Sequence, residues 1–187
     1  MDDFFEFCNQ LSHLDERATK DLTEVVFSKD YQKSDFLLKE GEVCKYLYFI
    51  NQGLVKTFFY KCDKEFIMRF FTEETMFTVL DSYVNKAPSS FMVMALEPTT
   101  VTCISNSDME KLCQQHHCIE TFFRKLISIA ALNMMKRISE MLDENATESY
   151  NHFIEENGQL LQRISLGDLA NYLGITQVSL SRIRAKK

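Results

Sequence analysis

The sequence predicts an α+β protein in which short strands fill the first half and helices the second. Three observations carry that prediction. Between Val25 and Ile104, aromatic and β-branched residues gather in short runs broken by turn residues, the pattern of strands. After Ile104 the apolar residues recur at helical spacing. The last helical stretch, 165–184, reads as two short helices joined by a tight glycine turn.

Residues 2–24 read as a helix, with Phe4, Phe5, Cys8, Leu11 and Leu14 on one side. Strand runs follow at 36–38, 46–50, 54–60, 65–71, 91–95 and 101–104. Their separators are Lys-Glu-Gly-Glu at 39–42, Asn-Gln-Gly at 51–53, Lys-Cys-Asp-Lys at 61–64, a loop over 72–90 and Glu-Pro-Thr-Thr at 97–100. Regular short strands over this length point to a barrel or sandwich. Gly41 and Gly53 fall in strand turns, where a positive φ is usual.

Ser107 followed by Glu110 forms a capping-box start for a short helix reaching about Gln115. A longer helix, over 119–142, contains no proline or glycine. It carries Phe122, Phe123, Leu126, Ile127, Ala130, Met134 and Ile138 among its many apolar residues, too many for one face lying on a small barrel. These seven are the expected contacts with a second copy of the same helix. A further helix over 147–156 leads through Asn157-Gly158 to the final pair. The expected organisation is 1–118 for the strand domain with its flanking helices, 119–143 for the long helix and 144–187 for the C-terminal domain.

In the final pair, Leu166, Leu169, Ala170 and Leu173 make one apolar stripe. Ser165 and Asp168 form a capping box before it, Gly174 supplies a left-handed end after it, and Thr176 caps the second helix. On that helix Leu180 and Ile183 point one way, while Gln177, Val178, Ser181 and Arg182 point the other. An amide, a small apolar group, a hydroxyl and a guanidinium suit the edges of bases in a major groove. A hairpin built only for packing needs a broader apolar second helix than this one. Arg182, Arg184, Lys186 and Lys187 make the end basic.

Net charge is −6, yet residues 159–187 hold five basic side chains and one acidic, which leaves the rest of the chain at −10. An acidic body with one basic end suits a protein that meets nucleic acid through a small surface. No apolar run is long enough for a membrane span, and Met1-Asp2-Asp3 is not the basic start of a secretory signal. The six cysteines form no Cys-x-x-Cys pair, so they read as reduced thiols in a cytoplasm rather than as a metal or cluster framework. The four histidines all lie outside the strand runs, which argues against a metal-dependent enzyme built on a barrel, and no nucleophile–base pair is visible. His116-His117-Cys118 groups ligand residue types, but adjacent residues rarely face one ion. No metal, cofactor or catalytic residue is expected.

The order of these parts, with the turns Lys-Glu-Gly-Glu and Asn-Gln-Gly-Leu-Val and the terminal Leu-Gly-Ile-Thr-Gln-Val-Ser-Leu-Ser-Arg-Ile-Arg, resembles the Crp/Fnr family of bacterial transcription regulators over nearly the whole chain. The resemblance implies an N-terminal double-stranded β-helix (the β-roll of cyclic-nucleotide-binding type), a long dimerisation helix and a small C-terminal helix-turn-helix. It implies a homodimer on a palindromic double-stranded operator, with RNA polymerase as a further partner. By motif position Gln177, Val178 and Arg182 face bases, Thr176, Ser179 and Ser181 face phosphates, and Arg184, Lys186 and Lys187 add positive charge. Nucleotide-binding members carry Phe-x-Gly-Glu-x-(Ala or Gly)-Leu and then Arg-Ser or Arg-Thr. Here the first stretch is Phe77-Thr78-Val79-Leu80-Asp81-Ser82-Tyr83 and the pair becomes Ser89-Ser90. Phe77, Thr78, Asp81, Ser82, Ser89 and Ser90 therefore mark a degenerate effector pocket with no arginine for a phosphate, and cAMP binding is not expected. The effector is not named by the sequence. The cysteine cluster of the oxygen-sensing branch is missing as well. The segment between Gly158 and Ser165 is too short for much of the family's wing hairpin, and the chain stops about one turn after Arg184, so weak DNA binding is expected. The competing reading is a small-molecule-sensing module whose last helices serve protein contacts.

Overall fold

The computed structural model describes residues 2–143 and 145–185. The N-terminal helical run is two helices, α1 (Asp2–Leu11) and α2 (Glu16–Val25), where one was expected. Asp15 ends the first reading: its carboxylate accepts from Ala18 N and starts α2 afresh.

Among the described residues eight strands follow: β1 (Phe27–Tyr31), β2 (Phe36–Leu38), β3 (Tyr46–Gln52), β4 (Val55–Lys61), β5 (Lys64–Phe71), β6 (Met76–Phe77), β7 (Met92–Ala95) and β8 (Thr99–Ser105). They pair antiparallel into two sheets, ordered β1-β8-β3-β6 and β2-β7-β4-β5, the two halves of a β-roll. Apart from the β4–β5 hairpin, consecutive strands lie in opposite sheets, so the chain winds around one interior. That interior is apolar: Leu47, Phe49, Ile50, Val55, Val93 and Val101 are each no more than 2% exposed. Strand β1 was not expected from sequence. Its residues are mostly exposed, and only the ladder to β8, from Phe27 opposite Cys103 to Tyr31 opposite Thr99, makes it a strand. At Gly53 φ is +106°, and an added Cβ would lie 2.4 Å from Thr99 Oγ1, so the turn between β3 and β4 tolerates no side chain.

Short helix α3 (Leu80–Asn85) bridges β6 and β7. Helix α4 (Asn106–Gln115) is capped by Ser105 with Asp108, two residues earlier than the expected Ser107 with Glu110. The long helix α5 (His117–Asp143) follows after a break at His116 alone. The expected boundary at 118/119 thus falls inside α5. Its first turns belong to the roll: Phe122 and Leu126 are buried in the same cluster as Phe49 and Ile50, and Phe123 packs against that cluster. This corrects the expectation for Phe122 and Leu126. Their own chain covers them, so they cannot form a seam with a second copy.

Helix α6 (Ala146–Asn157) is started by a capping box of Asn145 and Glu148. A 3-10 turn, Gly158–Gln162, leads to α7 (Leu166–Leu173) and α8 (Gln177–Arg184). These helices share a second core with the roll. Leu54, Phe58, Ile67, Phe70 and Met92 from the outer face of the β2-β7-β4-β5 sheet join Tyr150, Phe153, Leu160, Leu169, Ala170 and Leu180. The ring of Phe70 lies 5.5 Å from that of Tyr172 and 6.3 Å from that of Phe153.

Because Phe70 belongs to the roll but fills the core of the last helices, Phe70→Ala should destabilise both together. The expected loss is about 3–5 kcal/mol, as for other buried Phe truncations. Urea unfolding followed by far-ultraviolet circular dichroism should keep one transition with a lower midpoint; a second, earlier transition limited to helix signal would show that the last helices melt alone.

Candidate nucleic-acid interface

The α7–α8 unit is assembled from local signals. Ser165 Oγ accepts from Asp168 N at 3.0 Å, and the Asp168 carboxylate reaches back to Ser165 N at 3.3 Å. Gly174 ends α7 at φ +70°, a left-handed position that favours glycine. Thr176 Oγ1 accepts from Ser179 N at 3.1 Å and starts α8. Gly167, early in α7, has the Gln177 side chain over it: an added Cβ would lie 3.0 Å from Gln177 Nε2. The lack of a side chain there lets the start of α8 lie close across α7.

Only Leu180 of α8 is buried, with Ile183 half-buried beside it. Thr176, Gln177, Val178, Ser181, Arg182 and Arg184 are exposed, and Ser179 is half-buried within the cap. Val178 is 61% exposed, a branched apolar side chain in water with nothing over it. Lys186 and Lys187 lie outside the described residues. The outward face therefore holds the amide, the small apolar group, the hydroxyl and the guanidinium together on one short helix, with two arginines in its last turn.

Two charged clusters hold this unit to the roll. Lys56, whose side chain is 5% exposed, donates to Asp168 Oδ1 at 2.8 Å and to Glu65 Oε1 at 2.9 Å. Asn171 donates to the same Glu65 oxygen at 3.1 Å. Burial alone would lower the Lys56 pKa, but the hydrogen bonds it donates to its two carboxylates hold it above the ordinary lysine value. Burial alone would raise Asp168, and the Lys56 and Ser165 hydrogen bonds hold it below the ordinary range. In the second cluster the Arg163 guanidinium donates in a fork to Glu73, at 2.8 and 2.9 Å, and also pairs with Glu97. That fork, with lesser help from the Gly53 N–H, holds the Glu73 carboxyl down at about 2. Sequence reasoning missed Lys56, Glu65, Glu73, Glu97 and Arg163. Lys56 alone left a trace, as the one charged residue inside the strand run Leu54-Val55-Lys56-Thr57-Phe58.

Four of the six residues of the expected effector pocket, Phe77, Thr78, Ser82 and Ser89, are spent on the fold. The Phe77 ring stacks between Tyr48 and Phe71, at 5.3 and 4.4 Å. Thr78 donates to Tyr46 O, and Ser82 Oγ accepts from Cys44 N while donating to Ala87 O. Ser89 Oγ exchanges hydrogen bonds with the backbone of Phe91. Asp81 is exposed and accepts from Asn85; Ser90 is exposed. None of the six brings a positive charge. A separate polar cleft of about 210 Å³ lies between β5, α5, α6 and α7, lined by Arg69, Asn133, Arg137, Glu156 and Tyr172 among others. That is smaller than the roughly 300–1,000 Å³ of typical ligand pockets.

Beyond its first turns α5 leaves the roll. Its polar side faces the last helices: the Arg137 guanidinium stacks 3.8 Å from the Tyr172 ring centroid and donates to Tyr172 O at 2.6 Å. On the other side Ile127, Ala131, Met134, Ile138 and Met141 recur at alternating spacings of four and three. Ile127 is half-buried, Ala130, Met134 and Ile138 are exposed, and Met135 and Leu142 widen the face at 68% and 80% exposed. Glu140, His152 and Glu156 bring three ligand-type atoms within 4.8 Å of one another. The Lys136 ammonium meets both Glu140 and Glu156, so the charge there is already balanced by an ion-pair network. His116 and His117 diverge: His116 is buried with Nε2 2.8 Å from Asp21 Oδ2, while the His117 side chain is 92% exposed.

Residues 28–116 match the family of cyclic nucleotide-binding domains. No curated protein matches the sequence. Among solved structures, FixK2 from Bradyrhizobium japonicum shares 20% identity and superposes with a TM-score of 0.73, over 87% of this chain and 84% of that one. CLP, the c-di-GMP responsive global regulator of Xanthomonas campestris, shares 13% identity at a TM-score of 0.71, covering 92% and 91%. A protein of Eubacterium rectale assigned to the transcriptional regulators of the Crp/Fnr family shares 13% at 0.74, covering 92% and 83%. At these identities the likeness is one of fold.

The Glu73 carboxyl lies below its ordinary value of 4.5 because of Arg163, so its contribution to docking is complete above about pH 4.5 and is lost as pH falls through about 2. Thermal unfolding measured from pH 6 to about pH 2 should show the midpoint falling through that window. Glu73→Gln should start from a lower midpoint at pH 6 and fall less; parallel curves for the two proteins would remove Glu73 from the acid response.

Proposed function

We propose that this chain, which has the fold of the Crp/Fnr regulators and carries a β-roll of the cyclic nucleotide-binding type, is a homodimeric, sequence-specific DNA-binding regulator of transcription whose roll no longer takes a cyclic nucleotide. The observation that carries this is the outward face of α8. Gln177, Val178, Ser181, Arg182 and Arg184 are exposed while Leu180 and the half-buried Ile183 anchor the helix from below. A helix kept for packing does not hold a valine, a glutamine and two arginines outward at once.

Each α8 enters a major groove, its first residues against base edges and α7 crossing the backbone. Gln177, Val178 and Arg182 read bases. A bidentate arginine on guanine is worth about 1–3 kcal/mol of discrimination. Thr176, Ser179 and Ser181 meet phosphates, with Arg184, Lys186 and Lys187 supplying further charge. The partner that covers the exposed side of α5 is a second copy of α5. The four-three recurrence from Ile127 to Met141 is the seam of a two-helix coil, and seven large apolar side chains from Ile129 to Leu142 are too many to leave in water singly. Half-sites then fall about 10–10.5 bp apart or at a multiple of that. At the six expected pocket positions a phosphate would meet no cation, so its desolvation is not offset. The regulator works in the cytoplasm, where it meets its operator and RNA polymerase. Its role is recognition rather than catalysis.

Arg182→Ala should weaken binding to an operator selected from a random pool by about ten- to hundredfold, while binding to scrambled duplex falls far less. Equal loss on both sequences, by fluorescence anisotropy, removes the base-reading role. Ile138→Glu places a charge in the α5 seam and should convert the dimer to a monomer in sedimentation equilibrium. A wild-type protein that is itself monomeric at tens of micromolar contradicts the dimer.

A further inference from the structure

We propose that the tip of the β4–β5 hairpin is a second DNA-contacting surface, with Lys61 and Lys64 meeting backbone phosphates beside the half-site that α8 reads. This rests on the DNA-binding role proposed for α8.

The tip lies against the edge of the helix-turn-helix. Lys64 Nζ donates to Gly174 O at 3.3 Å, two residues before Thr176, the cap of α8. Its position is fixed from behind: β5 and β4 hold α7 through Glu65 with Asn171, Lys56 with Asp168, and Phe70 with Tyr172. The end of α8 that faces base edges is the N-terminal one. The turn before it therefore runs along the margin of the duplex, and the hairpin tip touches that turn.

The tip is also built against its own stability. Lys61 and Lys64 are directly opposite each other as the last pair of the ladder, and like charges so placed repel. The two turn residues, Cys62 and Asp63, both have positive φ, +50° and +58°. That is the two-residue turn for which Asn-Gly or Gly-Gly is the unstrained choice, and cysteine is not. A tight turn that presses two lysines side by side is costly as structure. It is suited to an array of phosphates, for which a lysine is a compact point charge.

The charge distribution of the C-terminal unit leaves room for this role. Arg163 is taken up by Glu73 and Glu97. Among the described residues from Gln159 to Ala185, that leaves Arg182 and Arg184 as the cations with no carboxylate partner, and both are on α8. Lys61 and Lys64 are exposed, and among the described residues neither pairs with a carboxylate. Flanking Asp63 at the tip, they add two cations at the hairpin to the two arginines described on α8.

The test uses full-length protein, an operator selected from a random pool, and a scrambled duplex of the same length. Binding is measured by fluorescence anisotropy over a salt series. Lys61→Ala/Lys64→Ala should weaken both duplexes by the same factor and flatten the plot of log K against log salt by about 0.9 per lysine. Lys61→Ala alone should account for half of that. Since Lys61 makes no contact with Gly174, its effect cannot come from a shifted turn. Wild-type slopes in both variants overturn the hairpin contact and leave the role of α8 standing. Wild-type protein that binds neither duplex overturns both. A second readout uses Cys62, the exposed cysteine at the tip, carrying an iron chelate on a background with the half-buried Cys113 and Cys118 changed to Ser. Backbone cuts flanking each half-site support the contact, and an uncut, fully bound operator overturns it.

Discussion

The ammonium of Lys56 is the point on which the arrangement of the chain turns. It is nearly sealed from water, lies 4.8 Å from the Phe58 ring centroid, and has a carboxylate on either side, Glu65 from its own sheet and Asp168 from α7. Bringing a charge into such a place costs several kcal/mol, and only both partners in good geometry offset it. Asp168 has a second duty in the same geometry, as the capping-box residue that starts α7. One carboxylate thus both begins the helix-turn-helix and fixes it to the roll. The apolar contacts of Phe70, Phe153 and Tyr172 supply attraction without direction. The buried charge supplies the register, because no slid or rotated docking of α7 keeps Asp168 within reach of Lys56.

A unit held in this way cannot swing freely on its connection to α5. The Arg163 fork pins the segment before α7, and Arg137 on α5 holds the end of α7 through Tyr172. A rearrangement must break the aromatic contacts and both charged clusters together. A ligand shifts such an equilibrium only by its difference in affinity between the two arrangements, so an effector would need a large one. On the dimer proposed here, the seam of α5 and the docking of α7 then set the separation of the two α8 helices with no adjustable joint. Spacing of half-sites becomes a property of the fold rather than of a bound ligand.

The parts of this structure that could be read from the sequence are those specified locally. Ser165, Asp168, Gly174 and Thr176 each act within four residues, and α7 and α8 begin and end where those residues place them. Six of the eight strands were visible because each carries its own run of aromatic and β-branched residues. β1 was not, since its exposed residues have no alternation and its partner β8 is some seventy residues away. The same limit hid Asp15, which interrupts a helical pattern that continues on both sides. It hid the division of α5 too. Periodicity shows more apolar residues than one face can hold, but only the folded roll decides that Phe122 and Leu126 belong inside and Met134 and Ile138 outside. Lys56 is the extreme case: its partner Asp168 is 112 residues away, and the local sequence offers no hint of it.

The interior of the roll connects these points. It holds a stack of Tyr48, Phe77 and Phe71, continuous with the apolar core. Filling that space with rings gives the sheets a dry, rigid filling at protein density, and rigid sheets keep the outer face of β4 and β5 in shape. That face carries Lys56, Glu65 and Phe70, the groups on which α7 is seated. The packed rings inside the roll therefore support the platform under the helix-turn-helix. On the regulator proposed here, the roll has become the part that holds α8 in position.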